Sequence, residues 1–376
     1  MIITVNAQHT QAKRLARVGQ GRSAALALGL ALAGIVLAPA SPAAKDKKPT
    51  EPQSSTQLVW PSPPAPAKIK WVTEYRSEFD VGAKKRHGFV DRLAGKGEDA
   101  LWLRRPLSVA VDDEGVMYVG DFGLGVVGID PSKHRMWLFS EVAKRGFGTP
   151  AGVAVDSQMV YVCDSATNTF AQFDKEGHFL SALGPQEGVN RPVGVAVDEA
   201  RDLVVMVNGG QSEVWLCNRQ LKLAKKIGGR GEKPGQFNFP TYVCMVPGTG
   251  FAVVDTGNFR VQLFDYDGRF IRAIGRIGDV TGSFARPKGI AVDPDNNVYV
   301  ADASFSNFQV FALDGQVLTY VGQGGADKGQ FQVPTGLAIS KDGMIYVADE
   351  MNARVQVFQY LGKGGGGEAD TANAKK

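Results

Sequence analysis

The sequence predicts an all-β fold, a closed six-bladed β-propeller, and two observations support that prediction. A phrase of short strands separated by tight turns recurs six times within the 376 residues. Successive copies start 42 to 48 residues apart, which is the length of one four-stranded propeller blade. Each copy begins with a proline: Pro106, Pro150, Pro192, Pro240, Pro287 and Pro334.

One copy, residues 287–322, shows how the unit is built. It contains the segments GIAVD, NVYVAD, FQVFAL and QVLTYVG, separated by turns rich in Asp, Asn, Ser and Gly. Alternating apolar residues between such turns predict four antiparallel strands in a meander. A single sheet of this kind has two apolar faces and cannot bury both, so each blade must pack against neighbouring copies.

The last copy is incomplete, and the start of the chain supplies what it lacks. After Pro334 the pattern contains three strands and then ends in LGKGGGG. Residues 68–75, KIKWVTEY, have the pattern of an extra strand before the first full copy. Pairing the two would close the ring and remove two exposed sheet edges. We therefore predict a last blade of three C-terminal strands and one N-terminal strand.

Two segments carry a specific family resemblance. TGNFRVQLFDYDGRFIRAIG and EMNARVQVFQY resemble the NHL repeat, whose blades carry D-x-x-N-x-R-(I/V)-Q-x-F. The resemblance covers about residues 68–361 and is weaker in blade three, where GGQSEVWLCN lacks the Asn and the Arg. The segment WPSPPAP, the early closing strand and the six blades are together similar to secreted bacterial NHL proteins. This likeness implies a propeller but no particular activity.

The first 40 residues have the pattern of a signal peptide. Four basic side chains precede a run of fifteen apolar or small residues, 24–38, and Ala38-Pro39-Ala40 forms a cleavage motif. Because about 20 residues are needed for a helix to span a bilayer, we expect cleavage, with a retained anchor as the alternative. We therefore expect a periplasmic or extracellular protein with no stable transmembrane segment after cleavage.

Composition predicts the remaining boundaries. Residues 41–67 are Pro-rich and are predicted to be an extended linker, and residues 76–105 are a basic insertion within the propeller, 68–361. Residues 362–376 are predicted to be a disordered Gly-rich tail. The formal net charge is +4, so removing the signal segment with its four basic side chains leaves a neutral protein. A neutral chain lacks the basic footprint that nucleic-acid binding needs, and we expect no such partner.

Several polar residues repeat with the blades and admit two interpretations. The second strand ends in an aspartate in five blades, with Asn208 in that place in blade three: Asp121, Asp164, Asp255, Asp302 and Asp349. Such a ring could hold a divalent cation, which is the weaker alternative. We predict instead that each aspartate accepts hydrogen bonds from the N–H groups of its own turn. Arg260 and Arg354 are predicted to tie turns together and are also counted as binding candidates.

Few residues on the predicted inner strands could catalyse a reaction. NHL-related amidating lyases are similar in fold but rely on histidine ligands for a metal. None of the four histidines here, His9, His87, His134 and His178, lies on an inner strand. We therefore expect no cofactor and favour a non-enzymatic protein. A metal-dependent, lactonase-like lyase or hydrolase with its site at the channel mouth is the alternative.

The turns after the second strands differ between blades and form the predicted binding surface. On a propeller they share one face with the linkers after the fourth strands. Apolar side chains ringed by polar atoms are typical interface anchors, and five tips fit that description: Phe122, Leu124, Phe259, Phe305 and Met351. We expect a protein or peptide partner in the cell envelope. A structural subunit of an envelope complex is a further alternative.

Two smaller sets of residues are predicted to be structural. The three cysteines, Cys163, Cys217 and Cys244, stand at strand positions that hold apolar residues in other blades. Cys217 and Cys244 lie in adjacent blades, so a disulfide between them is the alternative. The phenyl rings of the Gly-x-Phe linkers are predicted to plug the gaps between blades.

Overall fold

The computed structural model describes residues 57–82, 100–139 and 146–362, and these residues form 25 strands and five 3₁₀-helices of three residues each. The predicted signal peptide, most of the basic insertion and nearly all of the Gly-rich tail lie outside the described residues. The 3₁₀-helices all fall in turns: Pro185–Glu187, Glu199–Arg201, Gly209–Gln211, Thr256–Asn258 and Glu350–Asn352.

Blades one to five are four-stranded antiparallel sheets, each built from consecutive strands. Blade one contains β3 (Pro106–Val111), β4 (Met117–Asp121), β5 (Gly125–Asp130) and β6 (Arg135–Leu138). Blade two contains β7 (Pro150–Val155), β8 (Met159–Asp164), β9 (Thr169–Asp174) and β10 (Phe179–Leu183). Blade three contains β11 (Pro192–Asp198), β12 (Leu203–Asn208), β13 (Glu213–Cys217) and β14 (Leu223–Gly228).

The next two blades repeat the same order. Blade four contains β15 (Pro240–Val246), β16 (Gly250–Asp255), β17 (Arg260–Asp265) and β18 (Phe270–Ile274). Blade five contains β19 (Pro287–Val292), β20 (Val298–Asp302), β21 (Asn307–Phe311) and β22 (Val317–Val321). The first strands of neighbouring blades contact each other around a central channel, and the prediction of a six-bladed propeller is confirmed.

Blade six joins the two ends of the described chain. Its sheet has five strands in the order β1 (Val59–Trp60), β2 (Ile69–Tyr75), β25 (Arg354–Tyr360), β24 (Met344–Asp349) and β23 (Pro334–Ile339). β2 runs antiparallel to β25, from Ile69 opposite Tyr360 to Tyr75 opposite Val355. The outermost strand, β1, was not expected, because residues 41–67 read as a linker. Trp60 anchors β1 by packing edge-on against Phe358, with ring centroids 5.6 Å apart.

The strand register explains why the proline-led phrase recurs. In every blade the opening proline lies opposite the residue that ends the second strand, as Pro106 lies opposite Asp121 and Pro192 opposite Asn208. A bulge follows that proline in each first strand. The first strand of each blade is an edge strand, because it pairs only with the second strand. A proline has no backbone N–H to donate, so it is tolerated at the first residue of such an edge strand.

The hydrophobic core lies between the blades. The phenyl rings of the Gly-x-Phe linkers, Phe237, Phe284 and Phe331, are fully buried. Phe331 packs against Phe308 of blade five and Phe358 of blade six, with centroid distances of 6.1 and 5.9 Å. These rings therefore fill the space between neighbouring sheets, as predicted from the sequence.

Candidate binding face at the channel mouth

The two faces of the propeller carry different loops. We call the face that holds the turns after the second strands, and the linkers between blades, the turn face. The opposite face carries the turns after the first and third strands. Because each opening proline pairs with the last residue of the second strand, the first strands begin at the turn face. Residues at the start of each first strand therefore surround the mouth of the channel on that face.

The aspartates that end the second strands hold the turns and linkers in place. Asp164 accepts hydrogen bonds from the backbone N–H groups of Gly148 and Thr149 in the preceding linker, at 2.6 and 2.9 Å. It also accepts from Ala166 and Thr167 in its own turn, at 3.1 Å each. These contacts fit the predicted structural role, since the carboxylate oxygens accept hydrogen bonds from N–H groups of the turn and of the linker.

Asp121 is the member of this ring with unmet hydrogen-bonding capacity. Its Oδ2 accepts from the N–H groups of Arg104 and Arg105 at 2.8 and 2.9 Å, while its buried Oδ1 has no partner among the described residues. Burial raises the pKa of Asp121 to about 6, although those N–H groups act in the other direction. Burial also raises the pKa of Asp255 and of Asp349, against hydrogen bonds that lower it.

Arg260 in blade four and Arg354 in blade six each tie a second strand to the preceding linker, and we call this arrangement the arginine clamp. The Nε atom of Arg260 donates to Asp255 at 2.9 Å, and its Nη2 donates to the carbonyl oxygens of Lys233 and Gln236 in the preceding linker. The clamp thus ties the end of a second strand to the linker from the previous blade. The predicted turn-tying role fits these contacts, and a guanidinium used in this way is not free to bind a partner.

The clamp of blade six also holds the N-terminal strand. Arg354 is 1% exposed and donates to Asp349 at 2.8 Å and to Glu74 of β2 at 2.7 Å. Its Nη2 reaches the carbonyl oxygens of Asp327 and Gln330. Trp71 of β2 adds a hydrogen bond from its indole N–H to Gln356 at 3.1 Å. Arg354 is therefore buried between two carboxylates and cannot contact a partner.

The five predicted turn tips occupy two kinds of position. Phe122 and Met351 are exposed, at 42% and 53% of their surface. Leu124 and Phe259 are partly buried and pack against core clusters, and Phe305 is also half-buried. Only Phe122 and Met351 therefore have the exposure that the predicted anchor role requires. The sequence could not separate the two kinds, because tips of either kind follow the same aspartate.

Five more exposed apolar residues lie on the turn face and were not predicted. Three belong to linkers between consecutive blades, Phe239, Ile277 and Val280, and two to the described ends of the insertion that links blade six to blade one, Phe79 and Trp102. The other exposed large apolar residues belong to the outer strands of blades one to five, to β2 and to the residue before β1. Within the described ranges, none lies in a turn of the opposite face. Exposed apolar loop residues are thus confined to one face.

A charged group at the mouth links the two exposed tips. The guanidinium of Arg105 lies over the ring of Phe122, 5.1 Å from its centroid, and forms an ion pair with Glu350. Met351 is the next residue in the chain, so the apolar tips of blades one and six flank one ion pair. Cation–π contacts and ion pairs of this kind hold long side chains in place before a partner arrives.

Lys288 is a functional candidate that the sequence reasoning missed. It follows Pro287, at a position where other blades have Leu107, Ala151, Val193 or a threonine. Burial and the neighbouring Arg286 lower the pKa of Lys288, while Glu350 raises it. Lys288 forms no ion pair with a described residue, since Glu350 is already paired with Arg105. The sequence did mark this residue, because Lys288 is the one charged side chain among the six residues that follow the opening prolines.

Tyr242 spans the channel. The corresponding residue in other blades is a serine or a glycine, and at Gly289 an added Cβ would lie 2.0 Å from the carbonyl oxygen of Thr335. The hydroxyl of Tyr242 donates to the carbonyl oxygen of Leu107 at 2.7 Å. Blades four and one are opposite each other in the ring, so the phenol crosses the axis. The channel, a cavity of about 220 Å³, is otherwise lined mostly by aliphatic side chains.

The remaining candidates of catalytic chemistry are dispersed. The three cysteines are unpaired, so the alternative disulfide between Cys217 and Cys244 is not formed in this structure. Cys163 and Cys217 are buried in one core cluster, as predicted.

Among residues 57–82, 100–139 and 146–362, no group of three or more His, Cys, Asp or Glu side chains is arranged to hold a metal ion. The same ranges contain no helix long and apolar enough to cross a bilayer.

Solved structures similar to this chain share its fold. A protein of unknown function from Bacteroides thetaiotaomicron is 18% identical over 70% of both chains, with a TM-score of 0.54. A streptogramin B lyase is 12% identical over 68% of this chain and 93% of its own, with a TM-score of 0.51. A Kuenenia stuttgartiensis hydrazine synthase is also 12% identical, over 68% and 96%, with a TM-score of 0.50. Identities this low show the fold alone.

Comparison by sequence identifies the repeat. No curated protein matches the chain. The NHL repeat model matches residues 284–313 and 331–358, which include the first three strands of blade five and, in blade six, β23, β24 and all but the last two residues of β25. The matched part of blade six contains the arginine clamp and the glutamine that follows it. These two matches support the NHL-repeat family for this six-bladed propeller.

Proposed function

We propose that this protein is an exported, non-enzymatic NHL-repeat propeller that binds a protein or peptide partner through its turn face. The observation behind this proposal is the confinement of exposed apolar loop residues to that face. Apolar side chains surrounded by polar loops are favourable contacts for a partner and cost little when isolated in water. The opposite face lacks them within the described ranges and presents polar turns.

The first contact we propose lies between blades one and six. Phe122 and Met351 supply apolar surface, and Arg105 with Glu350 supplies a polar rim already held by an ion pair. Buried aromatic anchors next to an arginine are the usual composition of binding hot spots. Lys288 at the channel mouth has no ion-pair partner within the described part of the chain, and it adds a cationic group that suits a carboxylate on the partner.

A paired substitution tests this assignment. The variant Phe122→Ala with Met351→Ala should weaken partner capture from envelope extract by at least about 2 kcal/mol, or roughly 30-fold, with little change in melting temperature. The control is Asp267→Ala with Asp314→Ala, which changes exposed turns of the opposite face. Cross-linking identifies the captured partner and the residues that contact it. Loss of that partner in the control pair alone would assign binding to the opposite face.

Export is part of the same proposal and has its own test. The basic start, the apolar run and the Ala-Pro-Ala motif support cleavage of residues 1–40. Mass spectrometry of protein recovered from the periplasm or medium should show a start between Ser41 and Lys45. A chain that keeps Met1 and sediments with membranes would instead be an anchored protein.

The alternative, a metal-dependent lyase or hydrolase, is less favoured by the geometry. The candidate oxygen ring of aspartates already accepts hydrogen bonds from turn and linker N–H groups, as Asp302 does from Ala285, Arg286 and Ser304. Metal analysis of the purified protein decides the matter. A stoichiometric divalent ion that is lost in Asp302→Ala would support the enzymatic alternative against our proposal.

A further inference from the structure

The arginine clamp is incomplete in blade five. In blades four and six the clamp arginine stands five residues after the aspartate, and an asparagine stands three residues after it. Counting from Asp302 places Asn307 where the arginine would be and Phe305 where the asparagine would be. Blade five thus retains the aspartate of the clamp but has neither the asparagine nor the arginine at their clamp positions.

The linker that faces this clamp keeps its conformation nevertheless. Gln309 donates to the carbonyl oxygen of Ser283 at 2.8 Å and accepts from the N–H of Gly282 at 2.7 Å. In blade four, Gln262 makes the same two contacts, with Gln236 at 2.8 Å and Gly235 at 2.9 Å. The glutamine therefore holds the linker backbone in the same way in both blades, whether the residue two positions before it is an arginine or an asparagine.

Because the linkers correspond, the acceptors that bind the arginine in blade four have counterparts in blade five. Arg260 donates to the carbonyl oxygens of Lys233 and Gln236. The equivalent residues of the next linker are Val280 and Ser283, and no guanidinium of the described residues reaches their carbonyl oxygens. The carbonyl oxygen of Val280 accepts instead from the N–H and the hydroxyl of Ser283. The carbonyl oxygen of Ser283 is therefore the acceptor of the clamp whose arginine donor is missing.

A cavity marks the place of the missing side chain. It has a volume of about 270 Å³, and its lining includes Asp279, Val280, Phe305, Asn307 and Tyr320. The Oδ1 atom of Asn307 is buried and has no hydrogen-bond partner among the described residues. Among the described residues, no lysine or arginine lines the cavity and none forms an ion pair with Asp279. The lining therefore combines a free carboxylate, an unpaired amide oxygen and two aromatic rings.

We propose that this cavity binds the guanidinium group of an arginine side chain presented by the partner. A guanidinium is planar, carries several donors in one plane and stacks on aromatic rings, which matches carbonyl and amide acceptors beside Phe305 and Tyr320. Blades four and six hold a guanidinium against the corresponding carbonyls. This inference rests on the proposed function and adds the chemistry of one residue of the partner.

Small blocked amino acids test the site directly. The full mature protein is titrated with N-acetyl-arginine amide and, in parallel, with the lysine and citrulline analogues, using calorimetry or NMR shift changes. We expect the arginine probe to bind at least about 10-fold more tightly than the neutral citrulline probe, because only the former gives charge-assisted hydrogen bonds. Equal affinities for the three probes, or no binding by the arginine probe, would overturn the proposal.

Two variants locate the binding. Asn307→Arg supplies the protein's own guanidinium, and it should abolish binding of the probe without lowering the melting temperature. Asp279→Asn changes an exposed residue and should weaken binding by about 3-fold, whether or not the first variant folds. Asp314→Asn, on the opposite face, is the matched control and should have no effect. Unchanged binding in Asp279→Asn together with retention by a folded Asn307→Arg would contradict the assigned site.

The same variants separate this inference from the proposed function. If the free arginine probe does not bind while partner capture still depends on Phe122 and Met351, the guanidinium site is wrong and the turn face remains the binding face. If the probe binds as expected while capture is insensitive to those two residues, the cavity stands and the contact between blades one and six is wrong.

Discussion

Removal of Arg354 should destabilise the protein more than any other single change on the turn face. The guanidinium is almost fully buried and bonds two carboxylates, Asp349 and Glu74, as well as two linker carbonyls. In Arg354→Ala, Asp349 would remain buried without its cation. Breaking a buried ion pair from one side typically costs about 3–5 kcal/mol, a large part of a typical total of about 5–15 kcal/mol.

The matched control is the same substitution in blade four. Arg260 bonds one carboxylate instead of two, and 16% of its side chain is exposed. We expect Arg260→Ala to cost about 1–3 kcal/mol, because the hydrogen bonds to a charged group are partly replaced by water. The difference between the two variants measures what Glu74 adds, that is, the attachment of the N-terminal strand β2 to blade six.

Urea unfolding of both variants at two pH values is the assay. At about 2–4 °C per kcal/mol for a large domain, Arg354→Ala should also melt roughly 6–20 °C lower than the parent. Burial already raises the pKa of Asp349, and removing Arg354 raises it further. Protonation then relieves the buried charge, so the deficit should be smaller at pH 5 than at pH 8. A deficit no larger than that of Arg260→Ala, or one that grows as the pH falls, would refute this reasoning.

Three further predictions concern closure, titration and the channel. A chain that lacks residues 69–75 should lose several kcal/mol and aggregate, because β25 would become an exposed edge; melting equal to a chain starting at residue 57 would contradict this. The raised pKa of Asp121 makes the folded protein less stable at high pH: the cost is absent below about pH 4, grows as the pH rises, and is complete above about pH 6. Asp121→Asn should therefore flatten the stability profile over that range by at most about 3 kcal/mol, as urea titrations will show. Tyr242→Phe should lower the free energy of unfolding by about 1 kcal/mol, because the hydrogen bond to Leu107 is lost. The control Tyr320→Phe should leave the free energy of unfolding unchanged, because that side chain is half exposed.

Much of the fold was predictable because its determinants are local and repeated. Alternation of apolar residues gives the strands, and the proline and aspartate positions give the register, as the pairing of Pro287 with Asp302 shows. Six copies predict the same order of strands and turns, so a departure from the pattern in one copy does not change the predicted fold. Blade three illustrates this, because it keeps the topology although Asn208 replaces the aspartate.

The binding face was predictable as a face but not residue by residue. Phe122 and Phe305 follow equivalent aspartates, yet one is exposed over an arginine and the other is half-buried beside a cavity. Their burial depends on the linker from the neighbouring blade, which is distant in sequence from the turn. Trp60 shows the same limit, because its place on Phe358 depends on where the N-terminal segment meets the last blade.

By itself, then, the sequence determined the number of blades, their boundaries and the repeated turn-tying motif, because these arise from short-range patterns that recur. Only the tertiary structure decided that Tyr242 crosses the channel to Leu107, that Lys288 at the mouth has no ion-pair partner among the described residues, and that blade five has a cavity in place of an arginine. These are contacts between blades, and in a closed ring residues far apart in the chain become neighbours only when all six blades are in place.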